Sequence, residues 1–272
     1  MIWFDQPSAT GPGGEFDLSD RGLLLADGVF TTALVVKGEV AFRDQHITRL
    51  IRDAGALGLA VQRERLEAVF DEQRIDVDLA ALRVTVTRGA GERGLLPVSN
   101  APPTIIQSFN RMESFVMASP KRIMVSDIRR NESSPTSRHK TLSYTDNVLA
   151  LKHARISGFD DCLFLNTHGY ITCSSAANVL AIFGDEICAP PIDDGVLPGV
   201  TTDFLMTVAS EVGLTGHFKS MTLSDLQSAN EVLLTNSLRG VVPVATVAEC
   251  HFGTERASEL FDLWRAAVGL VR

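Results

Sequence analysis

The chain of 272 residues contains only four cysteines, Cys162, Cys173, Cys188 and Cys250, and no C-x-x-C pair. Thiols scattered this way do not make a disulfide scaffold and read as free cysteines in a reducing compartment. Positive charge is scarce: the formal net charge is −8 and the isoelectric point about 5.3. A nucleic-acid footprint needs a basic face, so nucleic acid is not an expected partner. Long apolar runs are also lacking. The longest, Gly22 to Val36, is interrupted by Asp27 and is too short to span a bilayer. The N-terminus, Met1-Ile2-Trp3-Phe4-Asp5, has neither a basic region nor an apolar one, so no signal peptide is visible. The reading is a soluble cytoplasmic protein with no membrane partner. Hydrophobic residues make up 45% and charged residues 21%, which excludes wholesale disorder. At this length two domains are expected, with local basic pockets left open to an acidic substrate.

Periodicity then marks the elements. Ile47, Leu50, Ile51, Ala54 and Leu57 follow helical spacing and predict a helix over 44–59, capped by Asp44, with Arg49 and Arg52 off the apolar stripe. Alternation predicts strands over 82–87 and 104–109. An irregular stretch containing Pro120 is expected to link the domains, giving 1–112, a linker at 113–120, and 121–272. In the second part, strands are expected at 123–125, 162–166, within 170–183 and at 231–235. A polar loop is expected over 129–138. Helices are expected from Thr145 or Asp146 to 157, from the Pro198-Gly199-Val200-Thr201 turn to 212, over 223–229 and over 254–270. Strands and helices mix without strict alternation, which favours α+β over a doubly wound sheet.

Common motifs are mostly absent. No H-E-x-x-H or Cys/His cluster of ligand spacing occurs, so no metal is expected, and there is neither a P-loop nor a G-x-S-x-G elbow. Gly89-Ala90-Gly91-Glu92-Arg93-Gly94 matches G-x-G-x-x-G, but a dinucleotide fingerprint must open a helix, and the Leu95-Leu96-Pro97 that follows cannot. It reads as a glycine-rich turn, with Arg88 and Arg93 as candidate anion-holding arginines. At Leu197-Pro198-Gly199-Val200-Thr201-Thr202 a tight turn feeds a helix whose first amides are available to a phosphate, although Thr201 as a plain helix cap explains the residues equally. Lys140, in Ser137-Arg138-His139-Lys140-Thr141-Leu142, reads on its own as one solvated lysine in a polar loop.

Taken in order, these pieces resemble the class IV (fold type IV) pyridoxal-phosphate enzymes over almost the whole chain. Ser19-Asp20-Arg21-Gly22 through Asp27-Gly28-Val29-Phe30-Thr31-Thr32, Asp44-x-His46-x-x-Arg49-Leu50, and Lys140-Thr141-Leu142-Ser143-Tyr144 with Asn147-Val148-Leu149-Ala150 carry it, with Asn178 and residues 197–201. The resemblance implies a two-domain α+β fold like that of D-amino-acid aminotransferases, with pyridoxal 5'-phosphate at the domain interface. It further implies a Schiff base on Lys140, carried by the C-terminal domain, and cofactor contacts from Arg49, Tyr144, Cys173, Val200, Thr201, Asn236 and Ser237. A homodimer is implied as well.

Within the family, Phe30-Thr31-Thr32, Thr87-Arg88-Gly89-x-Gly91-x-Arg93-Gly94 and Thr235-Asn236-Ser237-Leu238 are similar to 4-amino-4-deoxychorismate lyases. A small acidic amino substrate is implied, held by Phe30, Arg88, Arg93 and Asn236. Lys140 would act as base, and Thr31 or Thr32 would supply a proton near the leaving group. An aminotransferase for D-amino acids or (R)-amines is the alternative. A third reading, a cofactor-binding protein with lost or retuned catalysis, comes from Cys173. Family members usually carry glutamate there, opposite the pyridine nitrogen, and a thiol with an ordinary pKa of about 8.5 is mostly neutral.

Overall fold

The computed structural model describes residues 2–6, 9–12, 16–71, 77–97, 102–113 and 115–270. The chain divides into two compact units, Met1–Phe115 with His139–Ser143, and Val116–Arg138 with Tyr144–Arg272. The first contains β1 (Ile2–Gln6), β2 (Ala9–Pro12), α1 (Arg21–Leu25), β3 (Gly28–Val36), β4 (Glu39–Val40), α2 (Arg43–Ala56), α3 (Arg63–Asp71), β5 (Leu79–Thr87) and β6 (Thr104–Arg111). Its strands make one antiparallel sheet in the order β2-β1-β6-β5-β3-β4. Apolar and β-branched residues run almost unbroken along β3, as suits a strand buried on both faces.

Helix α2 lays Ile47, Leu50 and Ala54 against Val29, Val35 and Leu82 of the sheet. At about 1.5–3 kcal/mol per fully buried large aliphatic side chain, this stripe fixes the helix on the sheet. One expectation for α2 needs correction. Asp44 does not cap it: Phe42 takes that place in a left-handed conformation, without a side-chain cap bond, and Asp44 lies inside the first turn. Arg49 lies off the apolar stripe, as expected, and is nonetheless buried. His46, Arg49 and Asp53 recur at i, i+3 and i+7, and form a buried polar row beside the apolar stripe.

The second unit contains β7 (Lys121–Arg130), α4 (Pro135–Arg138), α5 (Thr145–Ile156), β8 (Asp161–Asn166), β9 (Ile171–Ser174), β10 (Asn178–Phe183) and β11 (Glu186–Ala189). It continues with α6 (Val200–Val208), β12 (Thr215–Phe218), β13 (Glu231–Asn236), β14 (Gly240–Val247), β15 (Cys250–His251) and α7 (Glu255–Ala267). Its sheet runs β12-β11-β10-β13-β14-β7-β8-β9, and a further pairing of β9 with β10 closes it into a barrel-like ring. The closing pair is Asn178 with Cys173. Ile123, Leu163, Ile171, Val179, Leu234 and Val244 build the core of this unit. Helix α7 buries Trp264, which lies so close to Gly240 (φ +63°) that a Cβ there would sit 2.3 Å from the ring. The amides that open α7 are bound by a distant carboxylate: buried Glu231 accepts from Arg256 N at 2.7 Å and Ala257 N at 3.1 Å.

Several expected elements change in extent. The loop read over 129–138 loses its start to β7 and its end to α4. The stretch expected as a helix over 223–229 is a 3-10 turn, Asp225–Ser228. The helix after residue 198 ends at Val208 and passes into a 3-10 turn at Ala209–Val212. Strand β14 is absent from the sequence expectations, since its uniform apolar run shows no alternation. Among the described residues no helix is long and apolar enough to cross a membrane.

The expectation that Lys140 belongs to the C-terminal domain needs correction too. The segment His139–Ser143 groups instead with the first unit. Backbone hydrogen bonds explain this: Phe30 N donates to Lys140 O at 2.9 Å, and Leu142 N donates to Gly28 O at 3.0 Å.

Candidate active site

In the first unit the chemistry gathers where α2 and β3 meet the Lys140 segment. Thr31 is fully buried and turns toward α2, where its hydroxyl accepts from Arg49 Nη2 at 2.8 Å and lies 2.7 Å from His46 Nδ1. Arg49 Nη2 also lies 3.4 Å from His46 Nδ1, so Thr31, His46 and Arg49 form one buried polar cluster. Burial, then the charges of Arg49 and Lys140, hold the His46 pKa well below the ordinary 6.5, which keeps the ring neutral. Phe30 projects from the opposite face of β3, with Lys140 Nζ 4.5 Å and Arg83 Cζ 3.6 Å from its ring centroid. Thr32 pairs with Arg83 across β3 and β5, so it shares that face, and it is half-buried.

The backbone of Lys140 is held on both sides. Its N–H donates to Asp53 Oδ2 at 3.0 Å, and its carbonyl accepts from Phe30. Sequence reasoning misses Asp53, Arg83 and the role of His46. The i, i+3, i+7 row of polar residues on a helix that is otherwise well patterned is the available signal for two of them.

In the second unit, α6 begins at a turn shaped for an anion. Gly199 is the N-cap and offers no side chain, so the first amides of the helix are left without a side-chain partner. Thr201 presents a buried hydroxyl with no hydrogen-bond partner among the described residues. Asn178 Nδ2 donates to Leu197 O at 2.7 Å and braces the turn, while a Cβ on Gly199 would lie 2.1 Å from Asn178 Oδ1. Thr202 and Thr235 share a buried hydroxyl pair at 2.8 Å behind it. Val200 is buried, Tyr144 stands half-buried at the start of α5, and Ser237 is half-buried in the turn after β13.

Cys173 is half-buried against the cluster of Ala150, Ala154, Cys162 and Phe164, with Thr172 Oγ1 3.8 Å from its sulfur. Burial, then Asp161 and Cys173, pushes the neighbouring Cys162 thiol up to about 12, so that sulfur stays protonated.

A class IV amino-transferase family model matches residues 28–247. The chain belongs to the class IV aminotransferase family. Its members are pyridoxal-phosphate-dependent enzymes, and this chain is one of them. It is 29% identical over 232 residues to a Methanocaldococcus jannaschii protein provisionally named a branched-chain-amino-acid aminotransferase, covering 83% of this chain and 80% of that one. It is 27% identical over 245 residues to the aminodeoxychorismate lyase of Bacillus subtilis, covering 87% and 83%. The crystal structure of 4-amino-4-deoxychorismate lyase from Pseudomonas aeruginosa aligns with a TM-score of 0.87 at 25% identity over 98% of both chains.

The residues fit the family cofactor. In the second unit, the Thr201 hydroxyl, which has no partner among the described residues, the first amides of α6 and the space kept by Gly199 suit a phosphate. In the first unit, taken by itself, Arg49 and Lys140 are a buried cation and an amine of the kinds the cofactor needs. Three expected substrate or catalytic residues, Arg88, Asn236 and Thr31, hold contacts within the protein, and a fourth, Arg93, is exposed. Arg88 is half-buried and committed to Asp27 (2.7 and 3.1 Å) and to the carbonyl of Leu57. Burial pushes the Asp27 carboxyl up, but bonds and charge from Arg88 and Arg21 outweigh it and hold the group below its ordinary value. Arg93 is exposed on a loop whose Gly94 and Leu95 carbonyls are held by Arg21. Asn236 spends its Oδ1 on the amides of Leu238 and Arg239, closing its own turn. Thr31 serves Arg49 and His46, so of the two threonines only Thr32 lies on the Phe30 face. Residues 89–97, which hold the G-x-G-x-x-G run, contain no helix, and residues 98–101 lie outside the described residues. No group of three or more potential metal ligands occurs among the described residues.

Proposed function

We propose that this pyridoxal-phosphate enzyme is a lyase that converts 4-amino-4-deoxychorismate to 4-aminobenzoate and pyruvate. The observation that carries the reading is the Phe30 face of β3, where a lysine amine, a guanidinium and a half-buried hydroxyl stand together. Similarity to the Bacillus subtilis and Pseudomonas aeruginosa lyases supports it. When bound, the cofactor would supply an electron sink for the carbon that bears the substrate's nitrogen.

The chain's own groups would divide the remaining work. In the second unit Thr201 and the first amides of α6 would hold the phosphate, with Tyr144, Val200 and Ser237 as further cofactor contacts, and in the first unit Arg49 would supply it a cation. The Lys140 amine takes the proton from the carbon bearing nitrogen. The carbon–oxygen bond to the enolpyruvyl group then breaks, its electrons leave with the oxygen, and the ring becomes aromatic. Thr32 donates a hydrogen bond to that leaving oxygen, and the released enol becomes pyruvate by protonation at carbon. Arg83 places a positive charge where an acidic substrate carries its carboxylates. A homodimer, measurable by sedimentation, belongs to the same proposal.

Transamination is the competing reading, favoured by the match to the Methanocaldococcus jannaschii protein. Cys173 speaks against it. Transamination needs a ring nitrogen that stays protonated, and a half-buried thiol is a weak partner for one. Incubation of the purified enzyme with aminodeoxychorismate should release 4-aminobenzoate and pyruvate in equal amounts. Release of neither, together with conversion of the cofactor to its amine form by a D-amino acid or (R)-amine, would establish the aminotransferase instead.

A further inference from the structure

Asp53 is a carboxylate with 1% exposure in the last turn of α2, and among the described residues its side-chain hydrogen bonds run to the Lys140 segment and to its own helix neighbour. Oδ2 accepts the Lys140 main-chain N–H at 3.0 Å. Oδ1 lies 2.9 Å from His139 Nδ1 and accepts from Arg52 Nε and Nη2 at 2.9 and 2.8 Å. Burying a carboxylate is unfavourable unless its oxygens are fully bonded, and here they are. A side chain of this kind does more than fill space. It ties residues 139 and 140 to a helix 86 and 87 positions earlier in the chain.

The location of the tie on α2 gives it a consequence. Asp53 stands four residues after Arg49, one helical turn along the same face. A single rigid turn therefore carries both the guanidinium assigned to the phosphate and the acceptor for the Lys140 amide. On the other side, the Lys140 carbonyl is held by Phe30 N, whose ring carries the Lys140 amine at 4.5 Å. With N–H, carbonyl and amine all referenced to α2 and β3, the reach of Lys140 from Arg49 is set before any ligand arrives. Such pre-set geometry is what makes an attack fast, since the orienting entropy has already been lost on folding.

We propose that Asp53, with His139, is a positioning clamp that fixes Lys140 relative to Arg49 for covalent capture of the cofactor aldehyde. Capture joins the Lys140 nitrogen to the aldehyde carbon with loss of one water, and borohydride delivers hydride to that carbon to make the bond permanent. The inference rests on Lys140 being the attachment residue, and the experiment separates the two ideas.

The full chain, freed of cofactor, is mixed with pyridoxal 5'-phosphate, quenched with borohydride at intervals, and digested to count label at Lys140. Binding of pyridoxine 5'-phosphate, which has no aldehyde, is measured in parallel, with hydrogen exchange of the peptide spanning 139–143. Asp53→Ala should capture at Lys140 about tenfold more slowly, the loss expected of a bond to a buried charged group. It should bind pyridoxine 5'-phosphate within about twofold of the unaltered chain, because Arg49 and α6 remain. Exchange in 139–143 should rise while the peptide spanning 28–36 is unchanged. Asp53→Asn, which keeps an acceptor oxygen for the Lys140 amide, should recover most of the rate.

Equal capture rates in Asp53→Ala and the unaltered chain would overturn the clamp. So would a parallel loss of pyridoxine 5'-phosphate binding, which would show general collapse of the site. Label elsewhere than Lys140 in the unaltered chain would instead sink the attachment itself, and the clamp with it. Should Asp53→Ala not fold, His139→Phe removes the imidazole arm alone and should slow capture about threefold, less than Asp53→Ala because the carboxylate still accepts from Arg52 and the Lys140 amide. No slowing there would refute the clamp.

Discussion

Gly199→Ala tests the turn before α6 without touching a charged group. The backbone at Gly199, φ −91° and ψ 129°, is one that any residue adopts, so the obstacle is space alone. The new Cβ would meet Asn178 Oδ1 at 2.1 Å, Asn178 Cγ at 3.0 Å and Thr202 Oγ1 at 3.1 Å. Asn178 must swing away, which breaks its bond to Leu197 O and leaves that carbonyl short of a donor. The broken bond is worth about 0.5–1.5 kcal/mol and the stranded carbonyl about 1–3 kcal/mol, overlapping terms that together give a destabilisation of about 2–3 kcal/mol. Asn178→Ala alone loses the same bond, so it should cost a similar amount.

The decisive case is the double variant. With the Asn178 amide gone the methyl added at position 199 has room, so Gly199→Ala/Asn178→Ala should be no less stable than Asn178→Ala. The coupling in the cycle should then be about 2 kcal/mol. Urea unfolding followed by tryptophan fluorescence in a Trp3→Phe background isolates the second unit, because Trp264, the other tryptophan, is buried there. Additive losses in the double variant, or a neutral Gly199→Ala, would refute the steric account of the turn.

Three further outcomes are expected. His46 binds a proton in the unfolded chain near pH 6.5 but only at much lower pH in the fold, so the unfolded state holds more protons below 6.5. Stability should therefore fall with acidity at up to about 1.4 kcal/mol per pH unit from this group, and His46→Asn should flatten the slope between pH 6.5 and 5 in urea titrations. Glu231→Ala strips two bonds from the buried start of α7 and should destabilise the second unit by about 2–4 kcal/mol in the same fluorescence assay, with Glu231→Gln recovering part of it. Cys173→Glu supplies a carboxylate opposite Asn178 and should raise the transamination half-reaction while lowering 4-aminobenzoate release. A large rise of both from near zero would show that catalysis had been lost rather than retuned.

The sequence alone determined the family, the helix that carries Arg49, the lysine within its motif and the glycine turn before α6. Each lies in a contiguous stretch, and side-chain spacing of 2 or 3.6 residues along such a stretch is a local property. The uses of particular polar groups were not local. Arg88 and Arg93 look alike in the loop, but Asp27 claims one and leaves the other exposed, because only folding brings residue 27 beside residue 88. Thr31 and Thr32 are neighbours in sequence and opposites in role, since the pleat sends one to α2 and the other to the Phe30 face. Beyond its place in the polar row of α2, Asp53 carries no mark in the sequence that sets it apart on its helix. Only the tertiary structure brought it to the Lys140 amide, and a buried carboxylate is settled by the donors that fold around it, not by its neighbours in sequence.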